Sequence, residues 1–113
     1  MTNYTKDQIT AFRLEAHNLS NRLPPGSLVQ AAGACGIQNT PPGSAYLALN
    51  ARVADLKPGD LERALTSEKT LLQAWSLRAS PYIFPTSDAT VFLTGTLPQT
   101  EEGIRSFIRG VIP

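Results

Sequence analysis

The first part of the chain carries a helical pattern of apolar residues. Thr5 and Gln8 have the spacing of a capping box, which predicts a helix start at this point. Apolar residues then recur every three or four positions until the proline pair in residues 23–26 ends the pattern. These residues are Ile9, Phe12, Ala16, Leu19 and Leu23. The spacing predicts one amphipathic helix over this segment.

Two further helices are predicted before residue 54. Ser27 and Gln30 repeat the capping spacing, and the small residues that follow predict a short helix ending at Gly36. Thr40 is expected to cap the next helix, with Pro41 at its first position, where proline loses no hydrogen bond. The apolar residues of that helix are Tyr46, Leu49 and Val53.

The pattern changes from helical to alternating near Thr70. A break at residues 57–60 precedes a short fourth helix, after which the period changes to two. One set of alternating positions is Leu71, Gln73, Trp75 and Leu77, and the other is Leu72, Ala74, Ser76 and Arg78. A second apolar run over residues 82–84 follows a turn, so the sequence predicts a β-hairpin over residues 70–84. The alternation places Trp75 with Leu71 and Leu77, and we therefore expect its indole to pack on the core.

Two helices are predicted after the hairpin. Ser87 has the position of a cap for a short helix that reaches Leu93. Thr100 precedes Glu101 and Glu102 at the start of a last helix, whose acidic start and basic end near Arg109 suit the helix dipole.

These elements fit one small domain. The chain has 113 residues, of which 42% are hydrophobic, which allows a single core. Helix, turn, helix and hairpin in this order predict an α+β fold that is mostly helical, a winged helix-turn-helix with one β-hairpin wing. We expect residues 1–113 to form that single domain, a shape used chiefly for handling nucleic acids.

The composition narrows the classes of site. Ten Lys and Arg residues against nine Asp and Glu give a net charge of +1, so we expect only weak, non-specific binding to double-stranded DNA. His17 is the only histidine and Cys35 the only thiol, so no metal set and no cofactor are expected. We expect Cys35 to be a small buried residue and His17 to lie on a helix surface.

The composition also indicates a compartment. A single cysteine leaves no internal disulfide, which fits a reducing environment. The first residues have neither a basic start nor an apolar core, so no signal peptide is expected. No apolar run approaches the roughly 20 residues of a membrane span. The sequence therefore predicts a cytoplasmic protein without a membrane partner.

Several segments match one known family in residue type and spacing. They are Gly36-Ile37-Gln38, a proline-opened helix through Ala45-Tyr46-Leu47 to Arg52, Asp60-Leu61-Glu62-Arg63-Ala64-Leu65, Trp75, Arg78 and Pro85-x-x-Asp88. From about Ile9 to Leu93, the chain resembles the first winged-helix unit of the bacterial DNA-binding proteins that include the AlkZ-like DNA glycosylases. Members of that family are several times longer, with tandem winged helices and a C-terminal β-rich domain. The resemblance implies that this chain is the N-terminal part of a longer DNA-repair protein, whose remaining domains are its partners.

The resemblance also implies a candidate catalytic site. The family's glycosylases cut the N-glycosidic bond of alkylated or crosslinked purines, and a Gln-apolar-Gln or Gln-apolar-Asp motif holds the hydrolytic water. Gln38 matches the first residue of that motif, whereas Asn39 is polar and Thr40 replaces the second amide or carboxylate. The family often carries a histidine where this chain has Tyr82. The alternative is that Gln38 only satisfies backbone groups of its loop.

Basic residues around the helix-turn-helix are candidates for contacts with DNA phosphates. They are Arg52, Lys57, Arg63, Lys69 and Arg78. Three acids, Asp60, Glu62 and Glu68, lie beside them in the sequence. An acidic recognition helix would be repelled by the major groove, which argues against base readout by this helix.

Several functions stay open at this point. The leading hypothesis is a DNA-interacting module of an AlkZ-like repair protein, inactive as an isolated domain. One alternative is a DNA glycosylase acting on alkylated purines, with Gln38 positioning water. The others are a structural or protein-interaction domain and a winged-helix transcriptional regulator. Self-association is also expected through the apolar residues of the last helix, which are Ile104, Phe107, Ile108 and Val111.

Overall fold

A computed structural model describes residues 2–111 of the chain. Over that range, five α-helices and three β-strands occur in the order α1 (Lys6–Ala16), α2 (Leu28–Ala32), β1 (Ile37–Gln38), α3 (Ser44–Arg52), α4 (Pro58–Thr66), β2 (Leu71–Trp75), β3 (Pro81–Pro85) and α5 (Glu101–Val111). A tight turn, Leu77–Ala79, joins β2 to β3, and a 3-10 turn, Thr86–Asp88, precedes a π-helical segment, Thr90–Thr94.

The three strands form one antiparallel sheet in the order β1-β3-β2. The predicted hairpin is confirmed as β2 and β3, which pair from Leu71 with Pro85 to Trp75 with Pro81. The short strand β1 lies in a segment predicted as a loop, and it pairs Ile37 with Ile83. In a winged helix, a short strand ahead of the hairpin pairs with the second strand of the hairpin. Strands β1 and β3 have this arrangement. The predicted α+β winged-helix class is therefore confirmed.

The main core lies between one face of this sheet and helices α2, α3 and α4. Strand residues Ile37, Leu71 and Ile83 belong to one buried cluster with Leu49 and Val53 of the α3 region. Burying an aliphatic side chain of this size stabilises the fold by about 1.5–3 kcal/mol. The helices contribute four small side chains that leave room for close packing, namely Ala31, Ala32, Ala45 and Ala64.

The other face of the sheet is covered by the segment that follows β3. The rings of Phe84 and Phe92 are stacked, with centroids 4.7 Å apart. The Ser76 hydroxyl donates a 2.7 Å hydrogen bond to the carbonyl of Phe92 and holds this segment in place. Gly36 has a φ of +75°, and a Cβ built on it would lie 2.7 Å from the Phe92 ring. Glycine is therefore required here both for its backbone conformation and for its lack of a side chain.

The first helix is shorter than the pattern predicts and does not join the core. α1 ends at Ala16, its C-cap is His17, and it has no buried residue. Its most exposed apolar side chain, Phe12, is 72% exposed. The chain returns to the core only at Leu23, whose N–H donates a 2.7 Å hydrogen bond to the carbonyl of Arg52. Helical spacing correctly predicts an apolar face here, but it does not specify whether another element covers that face.

The last helix also presents an apolar face to solvent. Ile104, Phe107 and Ile108 of α5 are 45%, 37% and 46% exposed, and the side chain of Val111 lies outside the described residues. The carboxylate of Glu101 and the guanidinium of Arg105, one turn later, form an ion pair at 2.8 Å. Within residues 2–111, no helix is both long and apolar enough to cross a membrane.

Candidate nucleic-acid interface

Gln38 lies at the end of β1, an edge strand of the sheet, and its side chain is exposed. Its partner across the ladder is Tyr82 of β3. The N–H of Asn39 donates a 2.9 Å hydrogen bond to the carbonyl of Pro81 and extends the ladder by one residue. This spacing makes Gln38 and Tyr82 a non-hydrogen-bonded pair, in which the Cα atoms approach to about 4.5 Å. The two positions that the resemblance singles out are therefore neighbours.

Asn39 fixes the loop that follows Gln38. Its Oδ1 accepts hydrogen bonds from the N–H of Gly43 at 3.0 Å and the N–H of Ala45 at 3.2 Å. Its Nδ2 donates a 2.9 Å hydrogen bond to Oε1 of Gln73 on β2. One side chain thus caps α3 and ties the loop to the hairpin, which explains why a polar residue is useful at this position.

The expectation that Thr40 caps α3 is wrong. The helix starts at Ser44, and its N-cap is Gly43 with a φ of 94°. The chain turns once more after Pro41, so the N–H groups at the helix start donate to the side-chain oxygen Oδ1 of Asn39 rather than to the Thr40 hydroxyl. Thr40 is exposed, and its hydroxyl is not engaged as the cap of α3.

The expectation that Trp75 packs on the core is also wrong, because its side chain is 66% exposed. Alternation assigns it correctly to the face of Leu71, but exposure rises along β2 from buried Leu71 to exposed Gln73 and Trp75. The helices cover only the Leu71 end of this face. Trp75 therefore stands at the tip of the wing, next to the turn that carries the exposed Arg78.

Helix α4 neutralises its own arginine. Arg63 pairs with Asp60 at 2.6 Å and approaches Glu68 at 3.9 Å. A hydrogen bond from the backbone N–H of Lys57, followed by the charge of Arg63, lowers the pKa of Asp60 below its ordinary value. The acid is thus firmly ionised at neutral pH, and Arg63 has a partner within its own helix.

Comparison with known proteins identifies the family. The family model of the AlkZ-like DNA glycosylases matches residues 31–107, which is more than half of the chain. The chain belongs to the AlkZ-like DNA glycosylase family. Within the AlkZ-like match lie β1, the α3–α4 pair, the wing and most of α5.

A solved structure has the same fold. The Streptomyces sahachiroi DNA glycosylase AlkZ superposes with a TM-score of 0.73 at 22% sequence identity, over 93% of this chain and 29% of the AlkZ chain. The present chain thus spans less than a third of the length of that AlkZ structure. No curated protein sequence gives a significant match.

The other basic residues of the AlkZ-like unit differ in how they are held. Arg52 is half-buried, and its guanidinium donates a 2.8 Å hydrogen bond to the carbonyl of Ala48 on its own helix. Lys57 is exposed at the start of α4, and Lys69 is exposed just before β2. Arg52 is therefore the least available of the predicted phosphate contacts.

Gln73 is a residue of this region that the sequence pattern missed. Its side chain accepts from Asn39 across 34 positions of the sequence, and nothing local in β2 indicates such a partner. The loop residue Asn39 itself carries a usable signal, because asparagine side chains in turns often bond nearby backbone N–H groups.

Cys35 is exposed, contrary to the expectation of a buried thiol. α2 ends at Ala32 rather than at the predicted Gly36, so Cys35 falls in the loop after that helix. Its Sγ lies 3.8 Å from Nδ1 of the half-buried His17. Over the part of the chain that the structure describes, no three His, Cys, Asp or Glu residues are placed to hold a metal.

Proposed function

We propose that the chain is a DNA-contacting winged-helix module of an AlkZ-like repair protein in the bacterial cytoplasm. The observation that carries this proposal is the exposed end of the sheet. Gln38 is the last residue of β1 at this end, and Thr40 follows it in the loop. The wing turn with Arg78 lies at the same end, because Asn39 pairs with Pro81 and Pro81 pairs with Trp75. A duplex that lies against this end meets amide, hydroxyl and guanidinium groups together.

The contact is weak and independent of sequence for an electrostatic reason. The net charge is +1, and α4 offers acids beside an arginine that is already paired. Few phosphates can be neutralised, so we expect a dissociation constant at or above the non-specific range of about 10⁻⁴ to 10⁻⁶ M. The remaining domains of a longer repair protein would then supply most of the affinity.

Fluorescence anisotropy with a labelled duplex at several salt concentrations tests this proposal. Arg78→Ala is expected to weaken binding and to reduce the salt dependence, because one phosphate contact is lost. Lys6→Ala removes the same charge from the exposed helix α1, outside the wing, and is the matched control. Equal effects of the two substitutions, or no binding by the wild type, would overturn the proposal. Sub-micromolar, sequence-selective binding would instead favour a transcriptional regulator.

A second candidate function is base excision with Gln38 positioning the water. The observation that favours it is the exposure of Gln38 beside a Thr40 hydroxyl that does not cap α3. An N-alkylated purine is already a cationic leaving group, so an amide that only orients water gives a useful rate. Thr40 has a shorter reach than the amide or carboxylate that the AlkZ-like motif carries at this position.

The release of 7-methylguanine from alkylated DNA tests this second candidate. The chain spans 29% of the AlkZ chain, and a small domain has little surface on which to hold a distorted duplex. We therefore expect no detectable release by the 113 residues alone. In a longer protein that contains them, we expect low activity that rises with Thr40→Gln. Robust release by this chain, abolished by Gln38→Ala, would make the chain itself an enzyme.

A further inference from the structure

An indole that is 66% exposed at the tip of a hairpin is an unusual side chain to leave in water. Trp75 is the only tryptophan of the chain, and its pair partner across the ladder is Pro81. Its large flat surface is costly to hydrate, so such a residue is found more often where a partner covers it.

The position of Trp75 relates it to the candidate site. The ladder places Asn39, Pro81 and Trp75 in one row across the three strands. Neighbouring strands lie about 4.8 Å apart, so the Cα atoms of Asn39 and Trp75 are separated by about 10 Å. Gln38 precedes Asn39 on the edge strand, so its side chain lies at the same end of the sheet but on the opposite face from Trp75. A stretch of about three base pairs along a DNA strand spans the same distance.

The charge of the wing suits a nucleic acid. Arg78 is the only charged residue in residues 70–85, so no acid of the hairpin opposes it. Arg78 and Ala79 have φ values of 54° and 52°, an unfavourable conformation for residues with a Cβ. This strained turn directs the chain sharply back into β3, and both Arg78 and Trp75 are exposed at this end of the wing.

We propose that Trp75 stacks on a DNA base whose face is open, while Arg78 contacts a neighbouring phosphate. In an intact duplex both faces of a base are covered by its neighbours, so the indole gains a partner only where bases are unpaired or unstacked. The wing therefore selects opened DNA, such as a gapped duplex, over an intact duplex. This inference rests on the proposed DNA contact and specifies its partner.

The single tryptophan makes a direct test possible. The emission of Trp75 is recorded during titration with an intact duplex and with the same duplex carrying a two-nucleotide gap. We expect quenching and tighter binding with the gapped duplex. Trp75→Ala is expected to lower affinity for the gapped duplex by about tenfold, the usual effect of losing one stacked base. Trp75→Phe should retain most of the affinity, and Leu77→Ala, which truncates a neighbouring exposed apolar residue, should change little.

The possible outcomes separate the two proposals. If the protein binds DNA with unchanged emission and Trp75→Ala binds as the wild type does, stacking is wrong and the DNA-contacting function stands. If Trp75→Ala loses affinity equally for intact and gapped duplexes, the indole only supports the wing, and the selection of opened DNA is wrong. If no DNA binds, both proposals fail. Circular dichroism of each variant verifies that the fold is retained.

Discussion

Gln38 and Tyr82 lie directly opposite each other on β1 and β3. Gln38 is exposed at the sheet edge, whereas Tyr82 is only 7% exposed. Behind them, Gly36 lies against Phe92, and a Cβ built on Gly36 would approach Tyr82 to 3.3 Å. The candidate amide is thus supported by an aromatic layer that depends on a glycine.

Gly36→Ala is expected to destabilise the domain by about 2 kcal/mol or more. A φ of +75° costs a residue with a Cβ about 1–2 kcal/mol, and the close approach to Phe92 adds to that cost. The free energy of unfolding in urea measures the effect.

Two glycine controls separate the causes of this loss. Gly26→Ala has a comparable φ of +85° with nothing within 4 Å, and should cost about 1 kcal/mol. Gly59→Ala in α4 meets nothing within 4 Å and should be neutral or stabilising. A loss at Gly36 no larger than that at Gly26 would show that the Phe92 contact relaxes at no cost.

Asn39→Ala is expected to cost about 1–2 kcal/mol of stability, because it leaves two N–H groups at the start of α3 without their acceptor. Asn39→Asp keeps an acceptor and places a negative charge at the helix start, so most of the stability should remain. Thermal and urea unfolding measure both variants.

Thr40→Ala is the matched control, and we expect it to change stability by less than about 0.5 kcal/mol. A loss at Thr40 that exceeds the loss at Asn39 would contradict the assignment of the cap. Gln73→Ala should show part of the Asn39 effect, since it removes only the hydrogen bond to Nδ2.

Asp60 should make stability depend on pH in the acid range. Its pKa is lower in the folded domain than the ordinary value of 3.8, first because of the hydrogen bond from the Lys57 N–H. The ionised acid therefore stabilises the fold above pH 3.8, and this contribution is lost as the pH falls through the lower folded value.

Comparison of the wild type with Asp60→Asn across this range measures the contribution. The wild type should be the more stable at neutral pH, and the difference should vanish below the folded pKa. Glu62→Gln, an exposed acid of the same helix, is the control. A stability difference between wild type and Asp60→Asn that persists unchanged in strong acid would contradict the prediction.

The apolar face of α5 is expected to mediate self-association. Phe107→Glu places a charge among Ile104 and Ile108 and should shift the protein towards monomer, as measured by sedimentation equilibrium. Ser106→Glu adds the same charge at an exposed position outside this apolar set. A wild type that is monomeric at high concentration, or equal effects of both substitutions, would count against this interface.

The sequence predicts the wing well because its signals are local. The alternation in residues 70–84 and the turn between the two runs correspond closely to Leu71–Trp75 and Pro81–Pro85. The environment of Trp75 was not predictable in the same way. Periodicity specifies the face of a strand, but which part of that face the helices cover depends on contacts between distant segments.

The candidate site shows the same division. A short sequence motif is enough to single out Gln38 and to place it before a helix. Its pairing with Tyr82 depends on β1, and a strand of only two residues has no periodicity that a sequence pattern could detect. Pro41 marks an expected helix start and so predicts Thr40 as the cap of α3, but the chain makes an extra turn before Ser44 and Asn39 takes that role. Such one-residue changes are decided by backbone geometry rather than by propensity.

Helix α1 has a consequence for the way in which the domain unfolds. It buries no residue, and the bridge between Leu23 and Val53 is where the chain enters the packed unit. A denaturant m value scales with the surface exposed in the transition. The m value of this domain should therefore be smaller than that of a fully packed domain of the same length. The amide hydrogens of α1 should exchange with solvent through local opening of the helix, whereas those of β3 should exchange only on cooperative unfolding of the whole unit.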